Sequence, residues 1–266
     1  MAAVIKLGGS VLTGLDAFPR AASSLACRLA DNPSLKLVVV VSAEHGATDS
    51  LLALAESIGS NPDARALDLL WATGELRSVA LLTLALQARR VVAVGLNVHE
   101  TGLRYEPGGS YDINLLRLTA ALGTHRIVVV PGFLARGDGD SIVSLGRGGS
   151  DLTAVLLAIA LRATECELIK GVPGYFTADP AFDSDAQHIS ALTYDEALLR
   201  AHRGCGVVQS AAIEAAAQAG LPIRVHSLDI ERTSTLVSGY RNDAGISAPS
   251  VSEAWQAGGW GPTAAK

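Results

Sequence analysis

Short runs of aliphatic and β-branched residues recur along the chain, separated by longer segments of helical period, and this alternation is what most limits the fold. The runs are AVIKL (3–7), LKLVVVVSA (35–43), RRVVAVGL (89–96), HRIVVVPGF (125–133), ECELIKGV (165–172) and PIRVHSL (222–228). They are apolar almost without a break rather than at alternate positions, as expected of strands covered on both faces. Helical patterns fill the intervals at 16–29, 48–57, 75–88, 114–122, 151–162, 194–203 and 211–219. Such alternation predicts an α/β fold: a three-layer α/β/α sandwich with a mostly parallel central sheet.

The chain has 266 residues, 49% hydrophobic and 18% charged, enough core for one large domain or two joined halves. Its formal net charge is -5 with no lysine- or arginine-rich tract, which argues against nucleic acid as a partner. Cys27, Cys166 and Cys205 are far apart, and the six histidines show no ligand spacing, so neither a disulfide framework nor a metal site is expected. The apolar stretch LTAVLLAIALRA (152–163) is too short to span a bilayer, and the first strand begins at once with no signal-peptide pattern. A cytoplasmic protein with no membrane partner is the expectation.

Two regions read as irregular. HETGLRYEPGGSYDI (99–113) is expected to be an excursion or hairpin at the sheet edge. The stretch from about 242 onward is rich in small residues and is expected to be loosely held, with its two tryptophans available to dock on the body.

In an open parallel sheet, ligands bind beyond the C-terminal ends of the strands. Four such junctions carry unusual chemistry. IKLGGSVL places Lys6, Gly8, Gly9 and Ser10 at the end of the first strand, where backbone amides and an ammonium suit an anion. An ordinary glycine turn with a surface lysine explains the fragment equally well, and it matches neither GxxxxGK[ST] nor GxGxxG. In VVVVSAEHGATDSLL, Ser42 and Ala43 follow a buried strand, and Thr48 and Asp49 are expected to cap the next helix. In WATGELRSVALLTLAL, Glu75 is expected at a helix start, either complementing the helix dipole or holding an ammonium.

LGRGGSDLTAVLLAIAL (145–161) is the most informative junction. A cap alone would not need a cation, two glycines, a hydroxyl and a carboxylate at one helix start. Arg147 offers a bidentate fork for a carboxylate, Ser150 a local hydrogen bond, and Asp151 a carboxylate able to orient a lysine or metal. Together the loops hold cations for phosphate and carboxylate, a glutamate for an amine, and backbone amides. That inventory fits phosphoryl transfer to a small amino acid, in which a protein chiefly positions reactants and neutralises charge.

At these residues the sequence resembles the amino-acid kinase family, and within it the aspartokinase branch. KLGGS, VVVSA with TDSLL, TGE, VVPGF, GRGGSDLTA, GVPGYFTADP and GLPIRVHSL with STLVSG occur in the family's order, from residue 1 to about 239. The resemblance implies the carbamate-kinase-like fold and one domain over 1–240. Within it, an amino-acid-binding part would run to about 145 and a nucleotide-binding part over about 146–240, followed by a loosely held tail at 241–266. It further implies that Lys6 stabilises the transferring phosphoryl group and that Asp151 organises the catalytic lysine. Ser42, Ala43, Thr48, Glu75, Phe133, Arg147 and Ser150 would surround the amino acid, with Arg147 on a carboxylate and Glu75 on the α-amino group. Lys6, Gly8, Gly9, Ser10, Lys170, Gly171, Phe176 and Asp179 would face the nucleotide. The implied reaction uses ATP and Mg2+ to make β-aspartyl phosphate without a covalent enzyme intermediate, in a homodimer and with no metal-ligand set of the protein's own.

The sequence departs from the family pattern on the nucleotide side. Lys170 and Gly171 stand where Thr-Asp is common, Ala181 where an arginine often follows Asp-Pro, and Gly206 where the lysine of a Lys-Val-Leu-His-Pro motif is expected. Each charge-phosphate contact is worth about 1–3 kcal/mol, so losing two weakens nucleotide binding unless Lys170 compensates. The chain also stops just after its last strand, so the C-terminal regulatory domains usual in aspartokinases, and feedback through them, are expected to be absent. Two other readings stay open: a family kinase for another small acid or phosphate ester, and a binding or regulatory homologue that has lost turnover.

Overall fold

A computed structural model describes residues 2–204, 206–228 and 233–239. The tail expected at 241–266, with its two tryptophans, and Cys205 lie outside the described residues. In chain order the first half contains β1 (Ala2–Leu7), α1 (Ala17–Asp31), β2 (Lys36–Val41), α2 (Ala47–Ile58), α3 (Ala64–Ala88) and β3 (Ala93–Gly95). It continues with α4 (Val98–Thr101), β4 (Leu103–Tyr105), β5 (Tyr111–Ile113), α5 (Leu116–Thr124), β6 (Ile127–Pro131), β7 (Leu134–Arg136) and β8 (Ile142–Ser144). The second half contains α6 (Gly149–Ala160), β9 (Cys166–Lys170), β10 (Tyr175–Phe176), β11 (His188–Ile189) and β12 (Ala191–Thr193). It closes with α7 (Tyr194–His202), α8 (Ser210–Ala219), β13 (Ile223–Ser227) and β14 (Ser234–Ser238).

The main sheet has eight strands in the order β12-β14-β13-β9-β1-β2-β6-β3. Its strands run parallel except at the β13–β14 pair, which is antiparallel and reverses β14 and β12. All six expected strands are in it. Alternate residues of β1 and β2 feed opposite cores, which explains their unbroken apolar character. Val4, Val38 and Val40 pack on one side with α6 and α8, while Ile5, Leu7, Val39 and Val41 pack on the other with α1. α1 turns Phe18, Ala21, Ala22, Leu25 and Leu29 inward at helical spacing. In α6 every residue from Gly149 to Ile159 is buried, as a helix apolar on all sides must be.

The order of strands changes direction beside β1: the chain proceeds from β1 outward through β2, then returns to place β9 on β1's other flank. The crevice at the C-terminal ends of β1 and β9 is the topological switch point of such a sheet, where ligands bind. The register pairs Leu7 with Ile169 and sets Lys6 beside Leu168, so the last residues of both strands open into that crevice.

Several local expectations are corrected. α3 begins at Ala64, so Glu75 lies in the helix middle rather than at its start. α2 is preceded by Gly46 in left-handed conformation, so Thr48 and Asp49 lie inside its first turn instead of capping it. The segment at 99–113 does more than fray from an edge: β4 and β5 join β7 and β8 in a separate four-stranded sheet of order β5-β4-β7-β8. With its true start, α3 is the longest apolar helix, 25 residues with mean hydropathy 1.4 over its most apolar window. By length and composition it could cross a membrane; here one face packs against α1, α2 and β8 and carries buried Glu75.

Candidate active site

Asp151 is the hub. It sits in the first turn of α6, whose N-terminus is entered through Gly148 at φ 78°, a left-handed conformation that glycine adopts without cost. One carboxylate oxygen lies 2.8 Å from Lys6 Nζ, and the other lies 2.6 Å from Lys170 Nζ. The Gln209 amide donates to Asp151 Oδ2 at 3.3 Å, tying the start of α8 to the same group. One carboxylate therefore gathers the ends of β1 and β9 and the loop before α8. Burial acts to raise the Asp151 pKa, but the charges and hydrogen bonds of Lys170 and Lys6 outweigh it and hold the group well below the usual carboxylate range. Lys170 is pulled down to about 8, chiefly by burial and against the attraction of Asp151.

The two glycines after β1 are there for close approach. A Cβ at Gly9 would lie 2.8 Å from the Ala43 carbonyl oxygen, and one at Gly8 would lie 3.3 Å from that of Ile169. Ser10 Oγ accepts the Gly171 amide at 3.0 Å, so the turn is fastened across the crevice to the end of β9.

Beside the lysines opens a cleft of about 560 Å3 lined by Lys6, Gly9, Ser42, Ala43, Thr48, Glu75, Phe133, Arg147 and Ser150, among others. Every residue expected around the amino acid is thus brought to one hollow, together with Lys6. Glu75 is 3% exposed and projects into it from α3. Burial pushes its carboxyl up to about 8, with the Ala43 amide and the Lys6 charge acting in the opposite sense. Its Oε2 has no hydrogen-bond partner, an acceptor left open in a buried wall. Arg147 stands at the mouth, its side chain 89% exposed and 3.2 Å from Asp49 Oδ1. Phe133 adopts φ 66°, unusual for a residue with a side chain, and its ring meets Trp71 edge-on at 5.7 Å.

The remaining nucleotide-side candidates divide. Gly8, Ser10, Lys170 and Gly171 cluster at the ends of β1 and β9. Phe176 and Asp179 line a second cleft of about 330 Å3, which Gly206 also borders. Three contributors were not anticipated from the sequence. Trp71 and His45 line the first cleft, and Arg200 lines the second while donating to the Phe176 carbonyl oxygen at 3.3 Å. Arg200 lies one helical turn before Gly204 in the sequence, which is the one sequence signal that could have found it.

The family model of the amino acid kinase family matches residues 1–227. Aspartokinase 2 of Bacillus subtilis (strain 168) is 37% identical over 238 residues, covering 88% of this chain and 58% of that protein. An aspartokinase of Thermus thermophilus is 38% identical over 206 residues, 76% of this chain and 51% of that protein. The chain thus spans about half the length of these curated relatives. Among solved structures, aspartate kinase from Synechocystis superposes with a TM-score of 0.82 at 34% identity, covering 92% of this chain and 41% of that one. E. coli aspartokinase III in complex with aspartate and ADP gives 0.78 at 26% identity, covering 91% and 66%. Motif order, sheet topology and these likenesses agree: the chain belongs to the amino acid kinase family.

Proposed function

We propose that this chain transfers the terminal phosphoryl group of ATP to the side-chain carboxylate of aspartate, giving an acyl phosphate. The observation that carries the reading is the placement of two ammonium groups on one buried carboxylate, Lys6 and Lys170 on Asp151, beside a cleft walled by Glu75 and Arg147. Two fixed cations at a strand-end crevice suit the charge that develops on a phosphoryl group in flight, and they need no reorganisation as it moves.

In this reading Arg147 takes a carboxylate of the amino acid and Glu75 takes its ammonium, with Ser42, Thr48, Phe133 and Ser150 shaping the remaining wall. Lys6 faces both reactants. Lys170, Gly8, Gly9, Ser10 and Gly171 receive the phosphates, and Phe176 and Asp179 border the cleft for the rest of the nucleotide. Arg200 supplies that cleft with a cation that Ala181 and Gly206 do not. The division expected at about 145 is crossed in this reading: Arg147 and Ser150 serve the amino acid, while Gly8, Gly9 and Ser10 of the first part meet the phosphates. No group of three or more His, Cys, Asp or Glu among the described residues could cage a metal alone. That composition fits Mg2+, which keeps its waters and is carried mainly on substrate phosphates, where it supplies charge neutralisation. The homodimer and the cytoplasmic setting expected from the resemblance belong to the same reading. Exposed Leu54 and Ile58 on α2 and Leu69 on α3 offer apolar surface for pairing, which sedimentation would reveal as twice the chain mass.

The test is a screen of small acids for ADP release with MgATP. Aspartate should give the highest kcat/KM, with glutamate and succinate at least about 100-fold lower because each misplaces or lacks a group the cleft holds. Faster turnover of an acid with no α-amino group would overturn the assignment of Glu75 and of the substrate.

A further inference from the structure

A cavity of about 450 Å3 opens on the small sheet and shares no lining residue with the lysine cleft. Its wall holds three guanidinium groups, Arg104 on β4, Arg117 on α5 and Arg136 on β7, with His99 on α4. Arg104 and Arg136 are register partners on adjacent parallel strands. Like charges placed side by side on one sheet are unfavourable unless something of opposite sign lies between them.

The protein supplies that opposite sign only in part. Two carboxylates line the cavity, Glu100 and Asp112. Glu100 is turned back to its own helix, accepting the Asn97 amide at 3.0 Å. Arg104 is met by Glu106 at 3.1 Å and by Asp138 at 4.0 Å, and Arg136 by Asp140 at 3.4 Å; none of these three carboxylates lines the cavity, while Asp112, which does, stands opposite Arg104 in the β4–β5 register. The Asp140 side chain is 77% exposed, so its pairing is weak. Arg117 has no ion-pair partner among the described residues. A chain of net charge -5 thus concentrates three forked cations in one hollow, where Arg117 has no ion-pair partner among the described residues and the carboxylates paired with Arg104 and Arg136 lie outside the lining.

We propose that this cavity is a second ligand site, one that binds a small phosphate monoester. Guanidinium forks match phosphoryl oxygens two at a time, and three of them meet the charge of a dianion. The volume exceeds what a bare oxyanion fills, and exposed Leu116 gives the organic part an apolar flank. The site also has a covalent route to the lysine cleft. Arg136 lies three residues after Phe133, and β7 pairs with β8 so that Leu134 faces Ser144. Phe133, Ser144 and Arg147 all line the lysine cleft, so a ligand that draws Arg104 and Arg136 together acts on the hairpin carrying them.

Calorimetry of the full chain with glycerol 3-phosphate tests this, using succinate as the carboxylate control. The proposal expects saturable binding, with succinate at least about 10-fold weaker. Arg117→Gln should weaken the phosphate ester about 10-fold, the effect of one lost charge-assisted contact, and Arg117→Lys should restore part of it. Because Arg117 is exposed and unpaired, its substitution leaves the fold in place, whereas Arg104→Gln carries some risk of destabilising β4. Lys6→Met should leave this binding intact, which separates the site from the lysine cleft whatever that cleft phosphorylates. Absence of binding to the unaltered chain, binding unchanged in Arg117→Gln, or binding abolished by Lys6→Met would each overturn the proposal.

Discussion

Lys170 turns inward, its ammonium 2.7 and 2.6 Å from the two carboxylate oxygens of Asp151. In the sequence this lysine is the departure that could compensate for the two lost phosphate contacts. Its direction brings it to the carboxylate that also holds Lys6. A second cation beside Lys6 on Asp151 comes from the end of β9 in this chain, while position 206 holds glycine.

Asp151→Asn should therefore be the most damaging isosteric change. It keeps the shape but leaves two buried ammoniums without their common anion. Turnover should fall about 1000-fold or more, as when preorganised electrostatic stabilisation is lost. Unfolding free energy should drop by about 3 kcal/mol, the scale for removing one partner of a buried pair. Chemical denaturation of both forms checks the second number, and a variant as stable as its parent would contradict the role of hub.

In the proposed reaction Lys170 should set an alkaline limit. Its pKa is lowered to about 8, so above that pH the free protein loses one of the two charges. The profile of kcat/KM for ATP should fall with a midpoint near 8, since that parameter reports the free protein. Lys170→Arg keeps the charge at every accessible pH and should shift or remove this limb, at some cost in rate. The linkage has a definite sign: between about 8 and the ordinary 10.5 the unfolded chain binds more protons, so Lys170 makes stability rise with pH in that window. An unchanged alkaline limb in Lys170→Arg would assign it elsewhere.

Glu75 predicts a proton released on substrate binding. With its carboxyl at about 8, the empty cleft holds it largely protonated at pH 7, and an incoming ammonium favours the ionised form. Calorimetry of aspartate binding in two buffers of different ionisation enthalpy should show release approaching one proton, absent in Glu75→Gln. The same variant should raise the KM for the amino acid about 10- to 100-fold. Because the folded pKa lies above the ordinary 4.5, the stability tied to Glu75 is present below 4.5 and lost as pH rises toward 8. Glu75→Gln should accordingly raise Tm at pH 8.5 relative to its effect at pH 5.

Arg147 separates binding from folding. Its pair with Asp49 is exposed on both sides, so Arg147→Ala should change stability by less than about 0.5 kcal/mol. The amino-acid KM should nonetheless rise about 100-fold if the guanidinium grips a carboxylate. A KM within threefold of the parent would remove Arg147 from the binding wall.

Gly132→Ala tests the packing under Phe133. The added methyl would sit 2.6 Å from Ser150 Cβ, so β6 and the start of α6 must separate. A loss of about 1–3 kcal/mol in stability is expected, together with a fall in activity, because Ser150 and the adjacent Phe133 both line the cleft.

How much of this was legible in the sequence depends on whether the cause was local. Strand runs such as Val38–Val41 announce themselves because each residue is buried whichever way it points. The GRGGSDLTA start was legible because a carboxylate and a cation at one helix entry exceed what capping requires. Glu75 was found but misplaced, since WATGE looks like a start when the weakly amphipathic turns before it, 64–74, are overlooked. Trp71 and Arg200 were missed because only the fold brings α3 and α7 to the clefts. The arginine cavity was equally hidden, as its residues come from five short elements at 99–136 whose pairing no local pattern reveals.

The most direct check is 31P NMR of the chain mixed with aspartate, ATP and Mg2+, run beside Asp151→Asn. We expect an acyl-phosphate resonance from the unaltered chain that hydroxylamine discharges, and none above background from the variant. No such resonance from the folded chain at millimolar nucleotide, or equal signals from both proteins, would contradict the assignment of this cleft to phosphoryl transfer through Asp151.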